Sequence, residues 1–190
     1  MVIKIFIAGD LHIPARAVML HPDFQMILEQ EKWDYIILTG DLTTEEVLNR
    51  FYEYVKSSER VLACRGNVDQ VELPLEIRTE INGIPIGVFH GIGISPRGDI
   101  KQLKRYAEEK QIRILCTGHS HQTLLYSDSN HLILNPGTST GATGGSSWSV
   151  DTGLITLEID DENKSIIVML YQMNQRNKMK SEKQIINLEK

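Results

Sequence analysis

One pattern appears three times before residue 70. A short apolar run, rich in β-branched residues, ends at a glycine followed by a polar side chain: VIKIFIA before Gly9-Asp10, DYIILT before Gly40-Asp41, and ERVLACR before Gly66-Asn67. Apolar runs of this length read as buried strands. Between them, PDFQMILEQEK (22–32) puts Phe24, Ile27 and Leu28 on one helical face. TTEEVLNRFYEYVKS (43–57) opens with a threonine cap and two glutamates, then stripes Val47, Phe51 and Tyr54. Strands separated by helices cannot pair through tight turns, so this β-α-β-α-β order calls for a parallel sheet with crossover helices.

The pattern then changes. LEIRTEINGIPIGVFHG (75–91) places Asn82-Gly83 between two strand-like runs, a strong hairpin signal. DIKQLKRYAEEK (99–110) has helical spacing, and IRILC leads into Thr117-Gly118-His119-Ser120-His121. QTLLYS, HLILNPG, TGLITLEID, SIIVMLYQ and KQIINLE follow as strands, interrupted by a small-residue loop at 137–149. The expectation is an α/β fold of two packed sheets with helices outside, its second half mainly antiparallel, in a single domain over residues 1–190.

Composition narrows the function. A net charge of −5 with no long basic block argues against a nucleic-acid-binding footprint. The N-terminal apolar stretch is too short for a secretory signal and no window reaches the length of a membrane span, so a cytoplasmic location is expected. Cys64 and Cys116 each close an apolar run and read as buried reduced thiols. Strand edges in the last third leave a homodimer open.

Collected together, the polar residues after the apolar runs are Asp10 and His12, Asp41, Asn67, His90, His119 and His121. Singly, each has an ordinary reading: Asp10 and Asp41 as helix caps, Asn67 as a turn residue, His90 as a core histidine. Jointly, five strand ends deliver only N and O donors, and parallel strands present their carboxyl ends at one edge. Imidazole with carboxylate suits Mn, Fe, Zn, Co or Ni, and seven donors exceed one tetrahedral ion but suit two. The glycines before Asp10, Asp41, Asn67 and His119 are expected to turn the backbone sharply. Asp-x-His and His-x-His pairs would share a face if the chain is extended. His21 and His131 are read as structural or solvated, and Asp69 and Asp99 as turn and cap residues.

The ordered blocks GDLH, GD, GNVD, HG and GHSH resemble those of the calcineurin-like metallophosphoesterase superfamily. The short length and NPGTSTGA resemble its compact branch of small phosphodiesterases, which includes the retromer's small vacuolar-sorting subunit. The resemblance implies a four-layer αββα sandwich with two divalent metals, Mn²⁺ foremost and Zn²⁺, Fe or Ni²⁺ as alternatives. One ion would be bound by Asp10, His12, Asp41 and His121. The other would be bound by Asp41, Asn67, His90 and His119, with Asp41, Asn67 and His90 serving catalysis. It implies in-line attack by a metal-bridging hydroxide on a phosphodiester or phosphomonoester. Larger members carry a histidine after the GN asparagine, thought to protonate the leaving group; here Val68 stands there, which favours good leaving groups. Arg97, in the loop after His90, is the candidate substrate contact. The alternative is a retromer-like scaffold that docks a helical-repeat protein beside a vestigial metal site. Scaffold members replace ligands in the GD and GN blocks, whereas Asp41 and Asn67 are the enzyme-type residues.

Overall fold

The computed structural model describes residues 1–143, 150–174 and 176–187. The first three apolar runs are strands β1 (Val2–Ala8), β2 (Tyr35–Leu38) and β3 (Val61–Ala63), paired in parallel around the helices α1 (Pro22–Glu29) and α2 (Glu45–Tyr52). The hairpin follows as β4 (Glu76–Ile81) and β5 (Ile84–Phe89), then α3 (Ile100–Glu109) and β6 (Ile114–Thr117). β7 (Thr123–Ser127), β8 (Leu132–Pro136), β9 (Gly153–Asp160), β10 (Ser165–Met173) and β11 (Met179–Asn187) complete the described chain.

These strands form two mixed sheets. One is ordered β11-β10-β9-β1-β2-β3 and the other β4-β5-β6-β8-β7. β1 is therefore flanked by β2 in parallel and by β9 antiparallel, which joins the beginning of the chain to its last third. The second half is mainly antiparallel, as expected, but β5, β6 and β8 run parallel, because α3 carries the chain over from β5 to β6. Of the small-residue loop, 144–149 lie outside the described residues, as does residue 188 onward after β11.

Strand alternation explains the layering. Ile5 and Ile7 face the other sheet, where Ile86, Val88, Ile114 and Cys116 complete the central core. Phe6, Ile36 and Leu38 face outward onto α1 and α2 through Phe24, Leu28, Val47 and Phe51. On the far side, Leu115 and Ile133 pack against Leu103 and Ala107 of α3. The result is helix–sheet–sheet–helix, held mainly by apolar burial of about 1.5–3 kcal/mol per large side chain.

Both early helices are shorter than their apolar spacing suggests. α1 stops at Glu29, where the Trp33 indole donates to the Leu28 carbonyl at 3.0 Å and turns the chain toward β2. α2 begins only at Glu45 because Thr43 is drawn into the loop network below, and ends at Tyr52 because Tyr54 accepts the Trp33 amide at 2.8 Å. The capping reading of Asp99 agrees with the geometry, and His21, read as a structural or solvated residue, caps α1 as well. Asp99 accepts from the Gln102 amide at 2.9 Å, and the His21 ring accepts from the Asp23 amide at 3.3 Å. Among the described residues no helix is long and apolar enough to cross a membrane.

Candidate metal centre

The loops after β1, β2, β3, β5 and β6 meet at one edge of the sandwich. The β1 and β2 loops stay zipped beyond their strands, with Asp10 N–H to Gly40 O at 3.1 Å and His12 N–H to Asp41 O at 2.9 Å. All seven candidate donors come together there. Asp10, His12, Asp41 and His121 offer ligand atoms within 4.8 Å of one another, all buried. Asp41 Oδ2 lies 3.6 Å from His12 Nε2 and 3.5 Å from His90 Nε2. His90 Nε2 lies 3.3 Å from Asn67 Oδ1, and the His90 and His119 rings are 5.0 Å apart, edge to face.

The backbone reaches this arrangement differently from the expectation. Asp10 (φ 48°), His12 (50°), Asp41 (55°), His119 (68°) and His121 (55°) are themselves left-handed, so the paired donors converge on curled rather than extended chain. Aspartate and histidine tolerate this region better than most residues, but held strain of this kind costs about 1–3 kcal/mol per residue and clusters at functional sites. Of the four glycines only Gly40 uses a positive φ, at 96°. Gly9 and Gly66 are needed for space: a Cβ would sit 1.9 Å from Thr39 Oγ1 at the first and 2.1 Å from Asp41 Oδ1 at the second.

Asp69, read from sequence as a turn residue, is a buried clamp. Its carboxylate accepts the amides of Asp41 at 3.0 Å, Thr43 at 2.6 Å and Gly66 at 2.7 Å, tying the β2 loop to the β3 loop. A second support is the 135–143 segment. Thr138 Oγ1 donates to Asp10 O and Thr140 Oγ1 to Leu11 O, both at 2.9 Å, and Asn135 Nδ2 donates to Gly118 O at 3.0 Å. Its only sequence signal was NPGTSTGA itself. His131 lies outside the cluster, beside Asp128. Arg97 is exposed at the rim, its Nη1 3.5 Å from His119 O.

The proton inventory fits a cation. His90 Nδ1 lies 2.7 Å from the Thr39 carbonyl and His121 Nδ1 lies 3.0 Å from the Ala142 carbonyl, so both Nδ1 atoms carry the hydrogen. The His121 Nε2 then aims its lone pair inward at Asp10 Oδ1, 3.4 Å away, whereas the His90 Nε2, 3.5 Å from Asp41 Oδ2, donates to that carboxylate while His90 is protonated and presents a lone pair only once that proton is lost. His12 Nε2 is 3.1 Å from His121 Nε2. Lone pairs facing carboxylates repel unless a proton or a cation lies between them, and backbone-anchored imidazoles are how proteins orient metal ligands.

The electrostatics agree. Burial pushes the Asp10 carboxyl up to about 7. Burial also acts to raise Asp41, but the His90 hydrogen bond and charge outweigh it and hold Asp41 at about 2. Burial lowers His12 and His119 to about 4, and lowers His121, leaving these imidazoles neutral and ready to donate lone pairs. His90 is the exception. Burial acts to lower it, but its hydrogen bond to Asp41 and the charge of Asp10 raise it overall.

A sandwich of this topology with donors at these loop ends defines a class, and sequence comparison agrees: the calcineurin-like phosphoesterase superfamily domain matches residues 3–162, and the chain belongs to this metal-dependent family. Among curated proteins it is similar to a probable metallophosphoesterase of Methanocaldococcus jannaschii, 35% identical over 134 residues, covering 70% of this chain and 67% of that protein. In fold it is similar to Vacuolar Protein Sorting 29 of Cryptosporidium parvum, with a TM-score of 0.88, 22% identity and 98% of each chain covered. It is also similar to Vps29 of Entamoeba histolytica complexed with Zn²⁺, with a TM-score of 0.85, 24% identity, and 97% of this chain and 100% of that one covered.

Proposed function

We propose that this chain is a phosphodiesterase dependent on two divalent metal ions, Mn²⁺ foremost, with phosphomonoesters as secondary substrates. The observation that carries the reading is Asp41, whose Oδ2 stands within 3.6 Å of His12 and 3.5 Å of His90 and so serves both halves of the donor set. Asp10, His12, Asp41 and His121 would hold one ion, and Asp41, Asn67, His90 and His119 the other. Such ions, when bound, lower the pKa of water and offset charge growing on the phosphoryl oxygens. Asp41 is fixed for its role by the Val68 amide on Oδ1 at 3.0 Å, which leaves Oδ2 to face both imidazoles. Thr39 and Ala142 hold His90 and His121 in the donor tautomer. Asn67 and Arg97, both exposed, border the open side where the phosphate oxygens would lie.

The test is hydrolysis of an aryl phosphodiester by metal-stripped protein, with and without Mn²⁺ or Zn²⁺, beside Asp41→Ala. Metal-restored turnover that Asp41→Ala abolishes, with an unchanged circular dichroism spectrum, is expected. Metal binding without turnover overturns the enzymatic reading.

A second reading has its own observation. Between the 13–20 loop, α1 and α2 lies a groove of about 290 Å³ lined by Ile13, Met19, Leu20, Leu28, Phe51 and Tyr54. Val18, Met19 and Met26 are large apolar residues left exposed on the chain. Such a surface suits the retromer-like alternative, docking of a helical-repeat protein partner. Retention of enzymatic turnover would not exclude it, but its own test is loss of a bound partner on Met19→Asp.

A further inference from the structure

The buried donors His12 and His121 lead outward to an exposed cation. The His12 carbonyl accepts the Arg16 amide at 2.8 Å and the Ala17 amide at 3.3 Å, closing a turn beyond the ligand. Arg16 is thereby fixed at this rim with its side chain exposed. Its Nη1 donates to Thr143 O at 2.7 Å, next to Ala142, whose carbonyl anchors His121. The guanidinium is therefore tied by backbone at one end and by side chain at the other.

The tie to Thr143 leaves the charge standing. A carbonyl is neutral and takes one N–H, whereas the planar guanidinium carries five, so a second acceptor can share the fork. The charge reaches into the cluster. Burial is the main influence keeping His12 and His121 unprotonated, and Arg16 adds to it at both. At His119 burial again comes first, then the charge of His90, then that of Arg97. Arg97 Nη1 lies 3.5 Å from His119 O. Each half of the donor set thus has a guanidinium at its rim, and an anion held between the halves meets one at either end.

We propose, resting on the phosphoesterase reading above, that Arg16 is a substrate-binding residue. Its guanidinium donates to an oxygen of the phosphoryl group on the side of Asp10, His12, Asp41 and His121. It stabilises an anion and transfers nothing. This differs from a strut that merely steadies the Ala142 carbonyl behind His121. A strut needs a donor to Thr143 but no positive charge; a phosphoryl contact needs both the charge and the fork.

Phenylphosphonate, whose C–P bond water does not cleave, should be titrated calorimetrically into Mn²⁺-saturated wild type, Arg16→Ala, Arg16→Gln and Arg16→Lys. Arg16→Ala and Arg16→Gln should weaken its binding about 10–100-fold, and Arg16→Lys should restore part of the loss. Mn²⁺ affinity, titrated alone, should not fall in any of them, because removing a nearby positive charge favours a cation. A strut predicts the reverse: Mn²⁺ affinity falls as His121 loosens, while the Mn²⁺-saturated variants bind phosphonate as wild type does. That result overturns the proposal, as does wild type that binds no phosphonate. Turnover separates this from the reading it rests on. Arg16→Ala should raise KM for an aryl phosphodiester. If wild type cleaves no ester, the phosphoesterase reading fails, and the phosphonate titration still decides the role of Arg16.

Discussion

Asp69 is the residue on which the β2 and β3 loops depend. Asp69→Ala removes the acceptor of three buried amides and should cost about 3 kcal/mol by denaturant unfolding. It should also weaken Mn²⁺ binding roughly 10–100-fold, because Asp41 and Asn67 lose their common support. The donors themselves predict a pH dependence. Without metal, Asp10 keeps its proton to about 7 and His90 keeps its own above the usual imidazole range, whereas His12 and His119 are neutral down to about 4. Metal binding near pH 6 must therefore displace about two protons. Affinity should rise with pH as Asp10 and His90 lose their protons, and calorimetry in buffers of different ionisation enthalpy counts the protons released. The meeting of the seven candidate donors was legible because each follows an apolar run. Asp69 was not, since its three partners lie on loops whose meeting no local pattern announces.

At the scale of elements, two glycines predict opposite outcomes. Gly83 completes the β4–β5 turn with Asn82, at φ 76° and 53°, and a Cβ there would meet nothing within 4 Å. Gly83→Ala should cost only about 1 kcal/mol of conformational strain and leave metal affinity unchanged. Gly66→Ala would drive a Cβ to 2.1 Å from Asp41 Oδ1 and 2.3 Å from Asp41 N, so metal binding should collapse even if the chain folds. Metal titration of both variants separates the cases. Strand existence and the hairpin followed from periodicity and Asn82-Gly83. Helix ends did not, because α1 is stopped by a side-chain-to-backbone bond from Trp33 and α2 is trimmed by Asp69 and Trp33, contacts made far along the chain from α2.

The whole molecule buries both thiols completely, and burial raises Cys64 and lifts Cys116 to about 12. An aromatic disulfide reagent should label neither in the native protein, and its rate should follow unfolding. Two packed sheets were readable from composition and spacing; which strands share a sheet was not, since apolar runs do not name their neighbours. That pairing has a consequence for how the chain is made. β1 leaves the ribosome early, but its antiparallel neighbour β9 begins only at Gly153. At about 5–20 residues per second, the nascent β1–β2–β3 sheet waits roughly 5–18 s with one apolar edge unpaired. The hazard of misassociation in the cell is therefore greatest during translation, and chaperones that shield nascent chains are where it should be relieved.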